Sequence, residues 1–144
     1  MKTIRFLLAL ALIVPVLSCS GQQEKKVTQA SPAASSDKIE AYYFHFTARC
    51  TTCKTIEAKA KEYLETGYPE RFKNGLITFQ SVNLDEVATK PLADRLGITG
   101  QTLLLVRGDQ KINITNEGFL YAVAKPDKFN EVIREKVDLL SQNK

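Results

Sequence analysis

The chain has 144 residues and a net charge of +4, from 20 Lys and Arg against 16 Asp and Glu. Its basic residues form no run or stripe, so the charge gives no reason to expect nucleic acid as a partner. The length allows one folded domain with a core of moderate size once the N-terminal segment is set aside.

The N-terminus has the layout of a secretory leader. Lys2 and Arg5 precede an apolar stretch that is too short to span a bilayer comfortably, and we predict a signal peptide over residues 1–18. The stretch ends in Val16-Leu17-Ser18-Cys19, which resembles the lipobox of bacterial lipoproteins. That resemblance implies cleavage before Cys19 and a diacylglycerol on its sulfur. The alternative is an ordinary signal peptide that happens to contain a cysteine.

Residues 19–38 are rich in Ser, Ala, Gln and Lys and contain almost no apolar side chains. Such a composition cannot offset the entropy of ordering the chain, so we predict a flexible tether. Together with lipid on Cys19, it predicts a protein held to a membrane of the bacterial cell envelope and facing outside the cytoplasm. The predicted folded domain is residues 39–144.

Only two cysteines, Cys50 and Cys53, remain for the domain. A structural zinc site needs four Cys or His ligands, and His45 is the only histidine, so the sequence disfavours such a site. Reducing conditions cannot be assumed outside the cytoplasm, so the sequence allows the pair to form a disulfide there.

The domain alternates between strand and helix patterns. An aromatic run predicts a buried strand over 41–46, and helical spacing of apolar residues predicts a helix over 53–64. A loop with room for one helical turn follows. The further segments are a strand over 76–83, a helix over 85–96 with Pro91 in its first turn, strands over 102–106 and 111–115 joined by a tight turn, and a helix over 126–140.

This order predicts a mixed sheet with helices on both faces and the first strand near its centre. It resembles the thioredoxin fold, with the C-x-x-C pair between the first strand and the first helix. Two further segments carry the resemblance, Asn83-Leu84-Asp85 and the loop and strand over 96–105. The resemblance implies an α/β protein of the thioredoxin-like class.

The start of a helix stabilises a thiolate through free N–H groups and its partial positive charge. Cys50 is therefore expected to be the exposed nucleophile, with Arg49 adding a positive charge beside it. Cys53, one turn inside the helix, is expected to be the resolving thiol. A disulfide across so short a loop stabilises little, which favours a redox function over an inert adaptor, although that alternative stays open.

The sequence departs from the usual thioredoxin pattern around the dithiol. Arg49 stands where Trp is usual, and Thr51 and Thr52 replace Gly-Pro. Gln101 stands where the family has a cis-proline facing the sulfurs. Because that proline helps to hold substrates and keeps metals away, its absence favours a dedicated partner protein, which could be a membrane protein, or a non-catalytic dithiol that binds a soft metal or trivalent arsenical.

A second resemblance concerns YYFHFTARCTTCKTIE and YPERFKNGLITFQSVNLDE. These segments are similar to small proteins of bacterial organoarsenical-resistance operons, the ArsF-type family, which are associated with the reduction of nitrophenyl compounds. The resemblance implies electron transfer or arsenical handling beside a membrane partner. The sequence contains no flavin or nicotinamide fingerprint, so we predict no cofactor.

Two polar residues near the dithiol receive structural interpretations. Phe44 corresponds to the buried acid of the thioredoxin first strand, so His45 is expected to face the other layer, away from the dithiol. Glu57 is expected to pair with Lys61 on a solvated helix face.

Overall fold

The structure is a computed structural model, and it describes residues 37–142. The predicted leader, the lipidation site at Cys19 and most of the predicted tether lie outside the described residues. Where described, the chain forms four strands and five α-helices. They are β1 (Ile39–His45), α1 (Thr51–Gly67), α2 (Pro69–Lys73), β2 (Ile77–Asn83), α3 (Lys90–Leu96), β3 (Thr102–Arg107), β4 (Gln110–Asn113), α4 (Thr115–Tyr121) and α5 (Pro126–Gln142).

The four strands form one mixed sheet in the order β2-β1-β3-β4. β1 is parallel to β2 and antiparallel to β3, and β3 forms an antiparallel hairpin with β4. β1 and β3 are therefore the two central strands. Nearly every side chain of both is buried, because layers of helices cover both faces of the sheet. This confirms the predicted central position of the first strand.

Helices α1, α4 and α5 cover one face of the sheet, and α3 covers the other. The first face contains the larger core, in which Tyr43 of β1 packs with Ile56 of α1 and Phe129 of α5. The second contains Phe44 of β1 and Ala93 of α3. Successive β1 residues enter opposite cores because side chains alternate along a strand.

Helix α3 begins later than predicted. The segment after β2 forms a turn and a short 3-10 helix, Val87–Thr89, before α3 starts at Lys90. Pro91 lies in the first turn of α3, as expected, where its missing N–H costs nothing. Gly97 ends the helix at φ 74°, a left-handed conformation that glycine adopts without strain.

Helix α4 is absent from the sequence prediction, which continued the preceding strand to Thr115. The strand instead ends at Asn113, whose side-chain oxygen accepts hydrogen bonds from the backbone N–H and the hydroxyl of Thr115. The buried residues in and beside α4 are Gly118 within the helix and Ile114 and Ala122, which cap its two ends at four-residue spacing. Two of these three residues are small and glycine disfavours helix, which weakens the amphipathic signal.

The N-terminal end of the described chain is attached to the domain through Arg107, the last residue of β3. Its guanidinium donates to the Leu140 carbonyl at 2.6 Å and pairs with Asp37 at 2.7 Å. Arg107 is buried, whereas the Asp37 side chain is mostly exposed. The last residues of the predicted tether thus contact the domain beside the C-terminal end of α5.

Candidate functional site

The site is built around Cys50, the residue that caps the N-terminus of α1. Cys50 has an extended backbone (φ −75°, ψ 164°), and its Sγ accepts a hydrogen bond from the Cys53 N–H at 3.2 Å. The sulfur thus takes the role that a Ser, Thr, Asp or Asn oxygen has at most helix starts. Cys50 is exposed to solvent. An accessible sulfur therefore lies where the helix dipole favours negative charge.

Cys53 lies within the first turn of α1 and forms a disulfide with Cys50, with a Cα–Cα distance of 5.2 Å. Its exposed fraction is only 5%. One cysteine of the pair is thus exposed and the other buried, the arrangement expected from the sequence. The chemical roles of the two sulfurs remain a prediction.

Arg49, directly before the capping cysteine, forms an ion pair with Glu57. Glu57 lies four residues beyond Cys53 on α1, and the side chains of both charged residues are 22% exposed. The predicted pairing of Glu57 with Lys61 was wrong, because Lys61 pairs with Glu65 instead. Arg49 approaches from the loop before α1, so spacing within the helix alone did not reveal it as the partner.

The two threonines between the cysteines do not contact the sulfurs through their hydroxyls. Thr51 is exposed, and its backbone carbonyl accepts from the Thr55 hydroxyl at 3.1 Å. Thr52 is partly buried. Among residues 37–142, the hydrogen bond to a cysteine sulfur is the one that the Cys53 backbone N–H donates to Cys50 Sγ.

Gln101 lies directly before β3, at the same end of the sheet as the loop that carries the dithiol. The next residue, Thr102, pairs with Phe44 near the end of β1. The Gln101 side-chain amide donates a hydrogen bond to the hydroxyl of Tyr43, a fully buried residue of β1. The position at which the resemblance predicts a proline therefore holds Gln101, whose side chain is hydrogen-bonded to β1.

The charges of Arg49 and Glu57 also act on the hydroxyl of Tyr43. Burial raises the pKa of Tyr43; the hydrogen bond from Gln101 opposes that rise, Glu57 adds to it and Arg49 opposes it. The polar groups beside α1 thus form one cluster. It consists of Arg49, Glu57, Tyr43 and Gln101.

His45 lies on the same face of the sheet as Tyr43 and α1, so the expectation that it faces the other layer was wrong. The rings of Tyr43 and His45 are 6.1 Å apart, whereas Phe44 packs on the α3 side. The two ring nitrogens of His45 contact the Phe46 carbonyl and the Ser81 hydroxyl, each at 2.9 Å. These contacts join the ends of β1 and β2.

The loop between β1 and α1 is held by the segment after β2. The Thr47 N–H donates to an Asp85 carboxylate oxygen at 2.8 Å, and the Asn83 side-chain amide donates to the Thr47 hydroxyl at 3.0 Å. The bond from the Thr47 N–H lowers the pKa of Asp85. Asn83 and Asp85 thus hold the loop that leads to the cysteines.

The described residues offer no arrangement of three or more His, Cys, Asp or Glu side chains that could hold a metal ion. The helices between residues 37 and 142 are all too short or too polar to cross a membrane.

The strand order and the position of the disulfide define an α/β protein with a thioredoxin-like fold and a C-x-x-C pair at the start of its first helix. Neither a protein-family model nor a curated protein sequence matches the chain. Among solved structures, thioredoxin from Trypanosoma brucei brucei is similar at 21% identity over 69% of this chain and 79% of that chain, with a TM-score of 0.40. A structure described as a malarial protein is similar at 21% identity over 51% and 74%, with a TM-score of 0.37.

Proposed function

We propose that this chain is a thiol-disulfide exchange protein that serves a dedicated partner, with Cys50 as the nucleophile and Cys53 as the resolving thiol. The observation that carries the proposal is the asymmetry of the pair. Cys50 is exposed and caps α1 through its sulfur, whereas Cys53 is buried behind it. A disulfide with only a structural role has no need of an exposed sulfur at a helix start.

The proposed exchange proceeds in two displacements. In the reduced protein, the Cys50 thiolate attacks one sulfur of a partner disulfide, whose bond breaks as the other partner sulfur leaves and takes up a proton. Cys53 then loses its proton and attacks Cys50, which reforms the Cys50–Cys53 bond and releases the second partner thiol. Two electrons pass from this protein to its partner, and a dithiol reductant must restore the reduced pair. The reverse sequence would oxidise a partner dithiol.

The proposed location is the bacterial cell envelope, outside the cytoplasm, with lipid on Cys19 and residues 19–38 as the tether. The lipobox-like sequence before Cys19 supports this proposal. Several acyl chains on one residue give lasting attachment, since each buried methylene contributes about 0.8 kcal/mol. A protein attached in this way exchanges electrons most readily with a partner in or beside the same membrane.

The proposed partner is specific because Gln101 stands at the position where general disulfide reductases have proline. The resemblance to proteins of organoarsenical-resistance operons supports a membrane partner involved in the reduction of nitro or arsenical compounds. In that role this protein supplies or removes electrons through its dithiol, and the partner performs the reduction.

Trapping tests the proposed roles. The Cys53→Ser variant should accumulate a mixed disulfide between Cys50 and its partner, because the resolving thiol is missing. The matched Cys50→Ser variant should accumulate none. Equal trapping by both variants, or by neither, would contradict the assigned roles.

The reduction potential and arsenite titration separate the three functions that the sequence left open. An exchanger should have a potential between about −270 and −120 mV. A potential well below about −300 mV, with no thiol reactivity in the native protein, would indicate a structural disulfide. Loss of both thiols to low concentrations of arsenite, without turnover of any disulfide, would indicate an arsenical-binding module.

A further inference from the structure

We infer that Glu57 is a positioning residue that limits the reactivity of Cys50 by holding and neutralising Arg49. The inference rests on the proposed function, because the charge on the Cys50 sulfur matters only if that sulfur attacks a disulfide. It extends that function by assigning the residue that adjusts the redox balance of the pair.

The first argument is the placement of the ion pair. Arg49 directly precedes Cys50, and Glu57 lies four residues after Cys53, about one helical turn further along α1. The ion pair therefore joins the chain before the dithiol to the helix after it. Both side chains are 22% exposed, so solvent screens this pair less than it screens the two other pairs of α1, whose side chains are about half exposed.

The second argument concerns the other charges at the start of α1. The first turn contains no acidic residue, and Glu57 is the first acidic residue of the helix. Lys54 lies one turn after Cys50, but its side chain is exposed, so water screens its charge. Arg49 is thus the partly buried cation that directly precedes Cys50 in the chain, and Glu57 is the anion paired with it.

The third argument is the effect of pairing on the field at the sulfur. A lone guanidinium stabilises a neighbouring thiolate as a full positive charge, whereas a paired one acts as a dipole whose field falls off faster with distance. The carboxylate also competes for guanidinium N–H donors that could otherwise turn toward the sulfur. Glu57 therefore lowers the fraction of Cys50 present as thiolate after reduction. Since the thiolate form stabilises the reduced state, Glu57 also makes the pair less oxidising.

The test is the Glu57→Gln variant, which keeps the shape of the side chain and removes its charge. The full-length protein is reduced, and the rate at which iodoacetamide alkylates Cys50 is measured by mass spectrometry of the Cys50 peptide, at a pH below the midpoint of the rate–pH profile of the unmodified protein. We expect the rate to rise about threefold to tenfold, because the rate follows the thiolate fraction. The equilibrium with dithiothreitol should shift toward the reduced form, and a tenfold shift corresponds to about 30 mV.

The Glu62→Gln variant is the matched control. Glu62 also lies on α1 and pairs with a cation, Lys59, but it is about 8 Å further along the helix than Glu57. This variant should leave both readouts unchanged. A rate for Glu57→Gln that equals that of the control, or that falls below that of the unmodified protein, would overturn the inference.

The route through Arg49 is tested by repeating Glu57→Gln in an Arg49→Gln protein. If Glu57 acts by neutralising Arg49, its replacement should change the alkylation rate by less than half as much in that background. An undiminished effect would overturn this part and show that Glu57 acts on the sulfur directly. Alkylation requires no partner, so it decides this inference even if the trapping experiment contradicts the proposed exchange.

Discussion

The side-chain amide of Gln101 donates a hydrogen bond to the hydroxyl of Tyr43, so the segment before β3 is tied to the buried side of β1, at the end of the sheet from which the dithiol loop leaves. A proline ring at this position would hold the segment through its own backbone restriction, whereas here a side-chain hydrogen bond has that role. We therefore expect the Gln101–Tyr43 bond to contribute to the stability of the domain.

Tyr43→Phe removes this hydrogen bond and retains the buried ring. We expect the free energy of unfolding to fall by about 1 kcal/mol, since the Gln101 amide loses its acceptor. Urea unfolding measures this change. Tyr63→Phe is the matched control, because the Tyr63 hydroxyl makes no hydrogen bond among residues 37–142, and it should change stability less. Equal losses in the two variants would show that the bond contributes nothing.

The capping role of Cys50 predicts a difference between serine and alanine at that position. In a Cys53→Ala background, which removes the disulfide, Cys50→Ser should be more stable than Cys50→Ala by about 1 kcal/mol. Serine can accept the N–H bond that Cys50 Sγ accepts at 3.2 Å, whereas alanine cannot. Thermal or urea unfolding measures the difference. Equal stabilities would mean that residue 50 does not cap α1 through its side chain.

Gly118→Ala should destabilise the protein, although alanine normally favours helix. A Cβ at this position would lie 3.0 Å from Cγ2 of Ile56, a fully buried residue of α1. We expect a loss of about 1–3 kcal/mol from overpacking. In an Ile56→Ala background, which removes Cγ2 and the other side-chain atoms that the new Cβ would meet, Gly118→Ala should cost less stability.

Gly100→Ala is the control for that experiment, because a Cβ there would meet nothing within 4 Å. It should therefore be tolerated. Stabilisation of the protein by Gly118→Ala would show that α4 can move away from α1.

The bond between Thr47 and Asp85 predicts a pH dependence of stability. The pKa of Asp85 in the folded protein lies below its ordinary value of 3.8, because the carboxylate accepts the Thr47 N–H. Below the ordinary value the unfolded chain takes up a proton first, so folding loses this stabilisation as the pH falls through the lowered native pKa. Above the ordinary value the contribution is complete.

Asp85→Asn should therefore reduce stability at neutral pH and flatten its decline in acid. Urea unfolding at a series of pH values from neutral to strongly acidic measures both effects. Asp109→Asn, in the exposed turn between β3 and β4, is the control and should leave the acid decline unchanged. An unaltered pH profile in Asp85→Asn would contradict the assigned role of the carboxylate.

The sequence predicted most of the elements that position the site. The aromatic run of β1, the apolar spacing of α1 and α5 and the position of Pro91 are local signals, and each lies where the structure has the corresponding element. Helix α4 escaped prediction because its buried residue Gly118 and its buried C-cap residue Ala122 are small, which gives a weak amphipathic pattern. Ile56 of α1, against which Gly118 packs, lies far from α4 in the sequence.

The sequence by itself determined that two cysteines meet at the start of a helix, since C-x-x-C spacing and the change from strand to helix pattern are both local. Only the tertiary structure decided which groups surround them. Glu57 pairs with Arg49 instead of Lys61, and Gln101 donates a hydrogen bond to Tyr43. These contacts depend on how the loop before α1 and the segment before β3 come together at one end of the sheet, and local spacing carries no information about that meeting.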